Sequence, residues 1–168
     1  MTFVGIDPQT PFMLASAVKL AVVAGYAAAG LTLPAMQHVV PGVPAYDCEM
    51  LAVQLEAAFA HEGALQNVDA EPRFPGAAHG MRYGRFAVFL VRCVPTFNSQ
   101  GNPPSVVDNE AAAMTVLQDS VMVFNSVLAA QLQGLLPGCS SVSYESWAAI
   151  EPSGGLGGGT TRLRIALW

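Results

Sequence analysis

Two long segments carry the most regular hydrophobic pattern in the chain, and both are helical. In the first, Leu14, Ala17, Val18, Ala21, Val22, Gly25 and Ala29 fall on one stripe, the spacing of a helix that buries a face. Thr10 is the expected N-cap, Pro11 suits the first helical position, and Gly30 is a natural stop. The opposite side offers only Ser16 and Lys19 as polar groups. The pattern therefore predicts a helix buried on more than one side, with a neighbouring subunit on the second. In the other segment, Val107, Ala111, Met114, Leu117, Val121, Phe124, Leu128 and Leu132 recur at spacings of three and four, which predicts the core-facing stripe of a long helix. Ser105 is its expected cap, with Asp108 placed as in a capping box and Glu110 also in the first turns. Gly134, Pro137 and Gly138 end it, and Asp119-Ser120 is a candidate kink.

The remaining pattern is that of strands and turns. Arg85 to Val94 is a continuous β-branched and aromatic run closed by Pro95, as expected of a central strand covered on both faces. Gln37 to Val40, between prolines, predicts a short edge strand. Cys48 to Phe59 reads both ways. As a strand it lines up Leu51, Val53, Leu55 and Phe59; as a helix capped by Asp47 it lines up Leu51, Leu55, Ala58 and Phe59, and its Ala, Glu and Gln content favours helix. His61 to Gly84 reads as a loop. At the C-terminus, Val142, Tyr144, Ala148 and Ile150 alternate with Ser141, Ser143, Glu145 and Trp147, and Leu163, Ile165 and Leu167 alternate with Arg162 and Arg164. That is a hairpin, joined by the glycine-rich E-P-S-G-G-L-G-G-G, expected to be a flexible arm. The order predicts a single α+β domain over residues 1–168. It comprises an N-terminal helix (1–30), strands and loops (31–104), a long helix (105–134) and a C-terminal hairpin (139–168), with the two helices packed on a mixed or antiparallel sheet.

Composition adds a constraint. Hydrophobic residues make up 52% of the 168 and charged residues only 11%, against roughly 25% in an ordinary soluble domain. Apolar surface must then meet either a membrane or other subunits. The first helix is about long enough to span a bilayer, which makes a small membrane-associated protein the rival reading. Lys19 interrupts the run, however, the rest is mostly Ala and Gly, and no aromatic belt or basic flank marks its ends. The first ten residues hold only Asp7 as a charge, unlike the basic start of a secretory signal. The net charge is −5 and no Lys/Arg cluster exists, which argues against tight nucleic-acid binding but suits a channel through which DNA slides.

No motif carries chemistry. Cys48, Cys93 and Cys139 are odd in number and far apart, and are expected to be free thiols in a reducing cytoplasm. With His38, His61 and His79 they fall at no metal-ligand spacing. His61-Glu62 reads as a surface pair. Gly155, Gly157 and Thr160 do not complete a dinucleotide fingerprint, because a strand, not a helix, follows. Gly138-Cys139-Ser140-Ser141-Val142 lacks the second glycine of a nucleophile elbow. Asp47 and Glu49 read as turn or cap residues. No catalytic, cofactor or metal site is expected, so the chain reads as a structural protein and not an enzyme. Its candidate subunit or partner contacts are Leu14, Val18, Ala21, Val22 and Tyr26 on the first helix, and Leu156, Arg162 and Arg164 on the hairpin arm. The two arginines share one strand face, either solvated or facing a neighbour's acids or a central channel.

Three stretches resemble a known group. They are P-A-Y-D-C-E-M-L-A-V at Pro44 to Val53, R-F-A-V-F-L-V-R-C-V-P with G-N-P-P at Gly101 to Pro104, and G-G-L-G-G-G-T-T-R-L-R-I at Gly154 to Ile165. Together they resemble neck and tail proteins of actinobacterial long-tailed phages (siphophages), tail terminators or head-to-tail connectors. The element order is also similar to the tail-terminator fold, which tips Cys48 to Phe59 towards a strand. The resemblance implies a virion structural protein assembled in the host cytoplasm, a homohexameric ring that caps the tail tube. Its partners would be the major tail tube protein and the head-tail connector or stopper, with DNA only passing through and no membrane. A head-side stopper (head completion) ring is the alternative.

Overall fold

A computed structural model describes residues 9–59 and 83–168. The predicted loop over His61 to Gly84, and with it the His61-Glu62 pair and His79, lies almost wholly outside the described residues.

The elements run α1 (Gln9–Ala29), β1 (Met36–Val40), β2 (Met50–Phe59), β3 (Tyr83–Cys93), α2 (Val106–Leu132), β4 (Cys139–Ser153) and β5 (Leu156–Leu167). The five strands form one mixed sheet in the order β1-β2-β3-β5-β4, parallel between β1 and β2 and antiparallel elsewhere. The chain is thus α+β, with both helices on one face of the sheet. Cys48 to Phe59 resolves as a strand from Met50 onward: its alternate residues Leu51 and Val53 are wholly buried beneath the helices, and that tertiary burial overrides the local helix propensity.

Local signals place the helix ends. Gln9, Thr10 and Pro11 are already helical in α1, so Thr10 is not the cap. Gly30, at φ 66°, ends it; the Leu31 amide donates to Tyr26 O across the turn, a closure that satisfies a last-turn carbonyl. At α2 the Ser105 hydroxyl accepts from the Asp108 amide, the expected cap, and the helix runs unbroken through Asp119-Ser120. Gly134, at φ 68°, repeats the same closure, with Leu135 N donating to Ala130 O.

The core lies between helices and sheet. Leu14, Val18, Val22 and Tyr26 of α1, Val123 and Val127 of α2, Leu51 and Val53 of β2, and Phe86, Val88, Leu90, Leu163 and Ile165 of the central strands form it. Each large side chain so buried contributes roughly 1.5–3 kcal/mol. A smaller cluster of Met50, Ala52, Ala87, Phe89 and Val91 occupies the other face of the sheet, so β3 is covered on both faces, as its unbroken apolar run predicts.

The C-terminal hairpin differs from expectation. The glycine-rich segment is not a flexible arm. Gly154 and Gly155, at φ 59° and 86°, form a two-residue turn of the kind that needs positive φ twice, and Ser153 pairs with Leu156 across it. The following glycines are strand residues. A Cβ at Gly158 would strike the Leu90 carbonyl oxygen, and one at Gly159 the Trp147 indole. The expected alternation in β4 also breaks. A bulge between Tyr144 and Ser146 puts Val142 with the main core but Ile150 with the opposite cluster.

Candidate assembly surface

The sequence places two cations in β3, Arg85 near its start and Arg92 at the end of its apolar run. Alternation puts only Arg92 on the helix side, where it is 7% exposed. A buried guanidinium needs partners for its donors. Asp119 of α2, 5% exposed, supplies them: Arg92 Nε donates to Oδ2 at 2.8 Å and Nη2 to Oδ1 at 2.9 Å, the two-pronged geometry favoured by arginine. Nη2 also donates to Thr32 O at 3.1 Å and Nη1 to Glu49 Oε2 at 2.9 Å. The buried Tyr26 hydroxyl donates to Asp119 Oδ1. Burial and the neighbouring Asp119 both push the Tyr26 phenol well above its ordinary range. Burial pulls the Arg92 guanidinium down, but the bonds and charge of Asp119, then Glu49, outweigh it and hold it fully charged. Glu49 stands at φ 56°, a costly position for a side-chain-bearing residue. It is held there by Arg92 and by the Cys93 amide, which donates to Oε1 at 3.2 Å.

This knot ties the end of α1, the middle of α2 and the end of the central strand β3 together. A cleft of about 300 Å³ opens beside it, between Thr32, Glu49, Arg92, Val94 and α2's Ala112 and Thr115. Arg92 is already bonded through Nε, Nη1 and Nη2 inside the protein, so the knot is structural. Glu49, expected in a turn or cap, and Asp119, expected at a kink, are instead linked through Arg92. The available signal was an arginine on the core-facing register of an apolar strand and a lone acid in mid-helix.

Cys48 and Cys93 are not free thiols. The β2–β3 register pairs Met50 with Val91, and two residues further out Cys48 faces Cys93, with Cα atoms 5.0 Å apart and the sulfurs joined in a disulfide. Sequence separation of 45 residues hid the pair, because only the strand register brings it together. Cys139 remains a thiol, raised by partial burial above its ordinary range. Among the described residues, no three His, Cys, Asp or Glu side chains converge as metal ligands; His38 is exposed on β1.

The expected contact residues on α1 need correction. Leu14, Val18, Ala21, Val22 and Tyr26 are all buried in the chain's own core, so none is open to a neighbour. The outer side of α1 presents Phe12, Met13 and Leu20 instead. On the hairpin, Leu156 is half-buried against the smaller cluster. Arg162 donates to Glu56 of its own chain at 3.0 Å, and Arg164 Nε to the Ser143 hydroxyl at 3.4 Å. With Arg85 paired to Glu145 at 2.7 Å, two of these three arginines have counter-charges within the chain, and Arg164 has a hydroxyl partner.

Most of the stripe expected to be buried on α2 is turned outward, although Phe124 packs against the core and Leu128 is half-buried. Asp119, Val123, Ser126, Val127 and Ala130 face the core. Val107 and Met114 are 73% and 68% exposed, and Leu117, Val121 and Leu132 more than half exposed. The helix thus shows solvent a strongly apolar side as well. By length and composition alone, Pro11–Ala29 and Val106–Leu132 are also long and apolar enough to cross a bilayer. No family model matches the chain, and none of the curated proteins matches it.

Proposed function

We propose that this chain is a structural subunit of a phage virion, a tail terminator that assembles as a hexameric ring on the end of the tail tube and joins it to the head connector. The observation that carries the reading is the outward stripe of α2. A chain with 11% charged residues leaves Val107, Met114, Leu117 and Val121 in water, an arrangement that favours burial against another protein surface. The resemblance of Pro44 to Val53, Arg85 to Pro104 and Gly154 to Ile165 to siphophage neck proteins supplies the kind of assembly. A protein partner suits these helices better than lipid does. α1 and α2 each give one side to the sheet, so neither helix is free to be surrounded by lipid. The Cys48–Cys93 disulfide suits a particle that ends its life outside the reducing cell.

Negative-stain images of the purified protein, paired with a tube-assembly reaction containing the tail tube protein, test the proposal. Discrete sixfold rings that arrest tube growth are expected. Tubes of unaltered length in the presence of the protein would sink the terminator assignment. Rings that bind the portal side and ignore the tube would assign the chain to the head-side stopper instead.

A further inference from the structure

The two helices keep different faces outside the core, and those faces differ in charge. On α2, Val107, Met114, Leu117 and Val121 follow one another at spacings of seven, three and four, the seam of a helix that packs along another helix. Asp108 and Glu110 stand exposed at the start of that seam. On α1 the outer face presents Met13, Leu20, Ala24 and Ala27, with half-exposed Lys19 beside them. Lys19 is the one basic residue on either helix, and among the described residues it enters no ion pair, nor do Asp108 and Glu110.

Charge decides which faces match. Two copies of α2 laid parallel along their seams would set Glu110 against Glu110. Laid antiparallel, they would set it against a last turn that has no basic residue, where the helix dipole is itself negative. The outer face of α1 offers the opposite sign and, in Ala24 and Ala27, room for Met114, Leu117 and Val121. Within one chain these faces do not meet: α1 and α2 touch through Gly25, where an added Cβ would strike Ser126. The exposed seam residues, with Phe12, Met13 and Leu20 opposite, bring a few hundred Å² of apolar surface together. That is a fair apolar centre for an interface of roughly 800 Å² per partner.

We infer that the outer face of α2 seats on the outer face of α1 of a second copy of this chain, with Glu110 facing Lys19. The inference rests on the assembly reading above and names its contact. Because the contact joins two unlike surfaces, it is heterologous and closes into a ring when its rotation divides a full turn.

The test uses the full-length protein in light scattering coupled to size exclusion, with circular dichroism melts as the check on folding. Met114→Glu with Leu117→Glu should give a monomer that melts like wild type, since both positions are exposed. Lys19→Glu and Glu110→Lys should each weaken assembly by roughly five- to tenfold in the midpoint concentration, and the two together should restore it. The charge pair reads the contact even if the double glutamate variant misfolds. Wild-type-sized rings from the double glutamate variant would overturn the inference, as would a charge-reversed pair no better than its worse single. Either result leaves the ring itself standing. A wild-type protein that is monomeric, or a closed two-fold dimer, removes both the contact and the ring.

Discussion

Removing the Asp119 carboxylate should cost more stability than any surface change, and the structure sets the size. Asp119→Ala deletes both bonds to Arg92 and the acceptor of the Tyr26 hydroxyl. The guanidinium stays buried, with Thr32 O and the half-exposed Glu49 as its remaining partners. Breaking one side of a buried pair costs about 3–5 kcal/mol, a large share of the roughly 5–15 kcal/mol that holds a domain. With a urea slope of about 2 kcal/mol per molar, the midpoint falls by about 2 M. The control separates charge from packing. Arg92→Met with Asp119→Leu removes both charges and keeps apolar volume, so it should lose far less than Asp119→Ala alone. Tyr26→Phe keeps the pair and drops one bond to a charged acceptor, costing about 1.5 kcal/mol. Urea unfolding followed by circular dichroism measures all of these. An Asp119→Ala midpoint within about 0.5 M of wild type, or a paired replacement as damaging as the single, would refute the reasoning.

Three further outcomes are expected. Tyr26 is raised above its ordinary value of 10.0 by burial first and Asp119 second, so its contribution is complete below pH 10 and is lost as pH rises above it. The unfolding free energy should fall there by up to about 1.4 kcal/mol per pH unit, and Tyr26→Phe should flatten that slope in urea titrations. The Cys48–Cys93 bridge closes a span of 45 residues, worth about 4 kcal/mol by chain entropy. Reductant should therefore lower the melting temperature of wild type and leave Cys48→Ser/Cys93→Ser unchanged, while non-reducing mass spectrometry of wild type should show one thiol. Gly158→Ala places a methyl group on the Leu90 carbonyl at a φ of 148°, so at least about 3 kcal/mol should be lost, whereas Gly42→Ala, with open space around it, should melt within a few degrees of wild type.

Where a signal is local, the chain announces its structure. The Ser105 cap, the Gly30 and Gly134 stops and the β-branched run of β3 each act through their own backbone neighbours, and each falls at or near its expected place. What depends on distant partners is hidden. The glycines from Gly157 to Gly159 look like a loose arm because nothing nearby shows that Val94, Leu90 and Trp147 leave no room for a side chain there. The Cys48–Cys93 pair is invisible until β2 and β3 are set in register. The strand identity of Cys48 to Phe59 was legible only through resemblance, because its alternation competes with a helical reading of the same leucines.

The inversion of α2 has a single physical origin. Apolar residues lie on both sides of this helix, with Val116, Val123 and Val127 on one and Val107, Met114 and Val121 on the other, so periodicity alone cannot choose the buried side. Arg92 chooses it. Its side chain is fixed on the helix side of the sheet, and leaving it there unpaired would cost several kcal/mol. Asp119 is the one acid in the middle of α2, and Val121 lies two residues on, about 200° around the helix. Turning Asp119 inward necessarily turns Val121 outward, and with it Met114 and Val107. Exposing those side chains forgoes roughly 1–2 kcal/mol each, a cost that burial against a neighbouring subunit would recover. One buried ion pair thus orients the helix within the chain and, by the same rotation, creates the apolar face through which the chain is proposed to assemble.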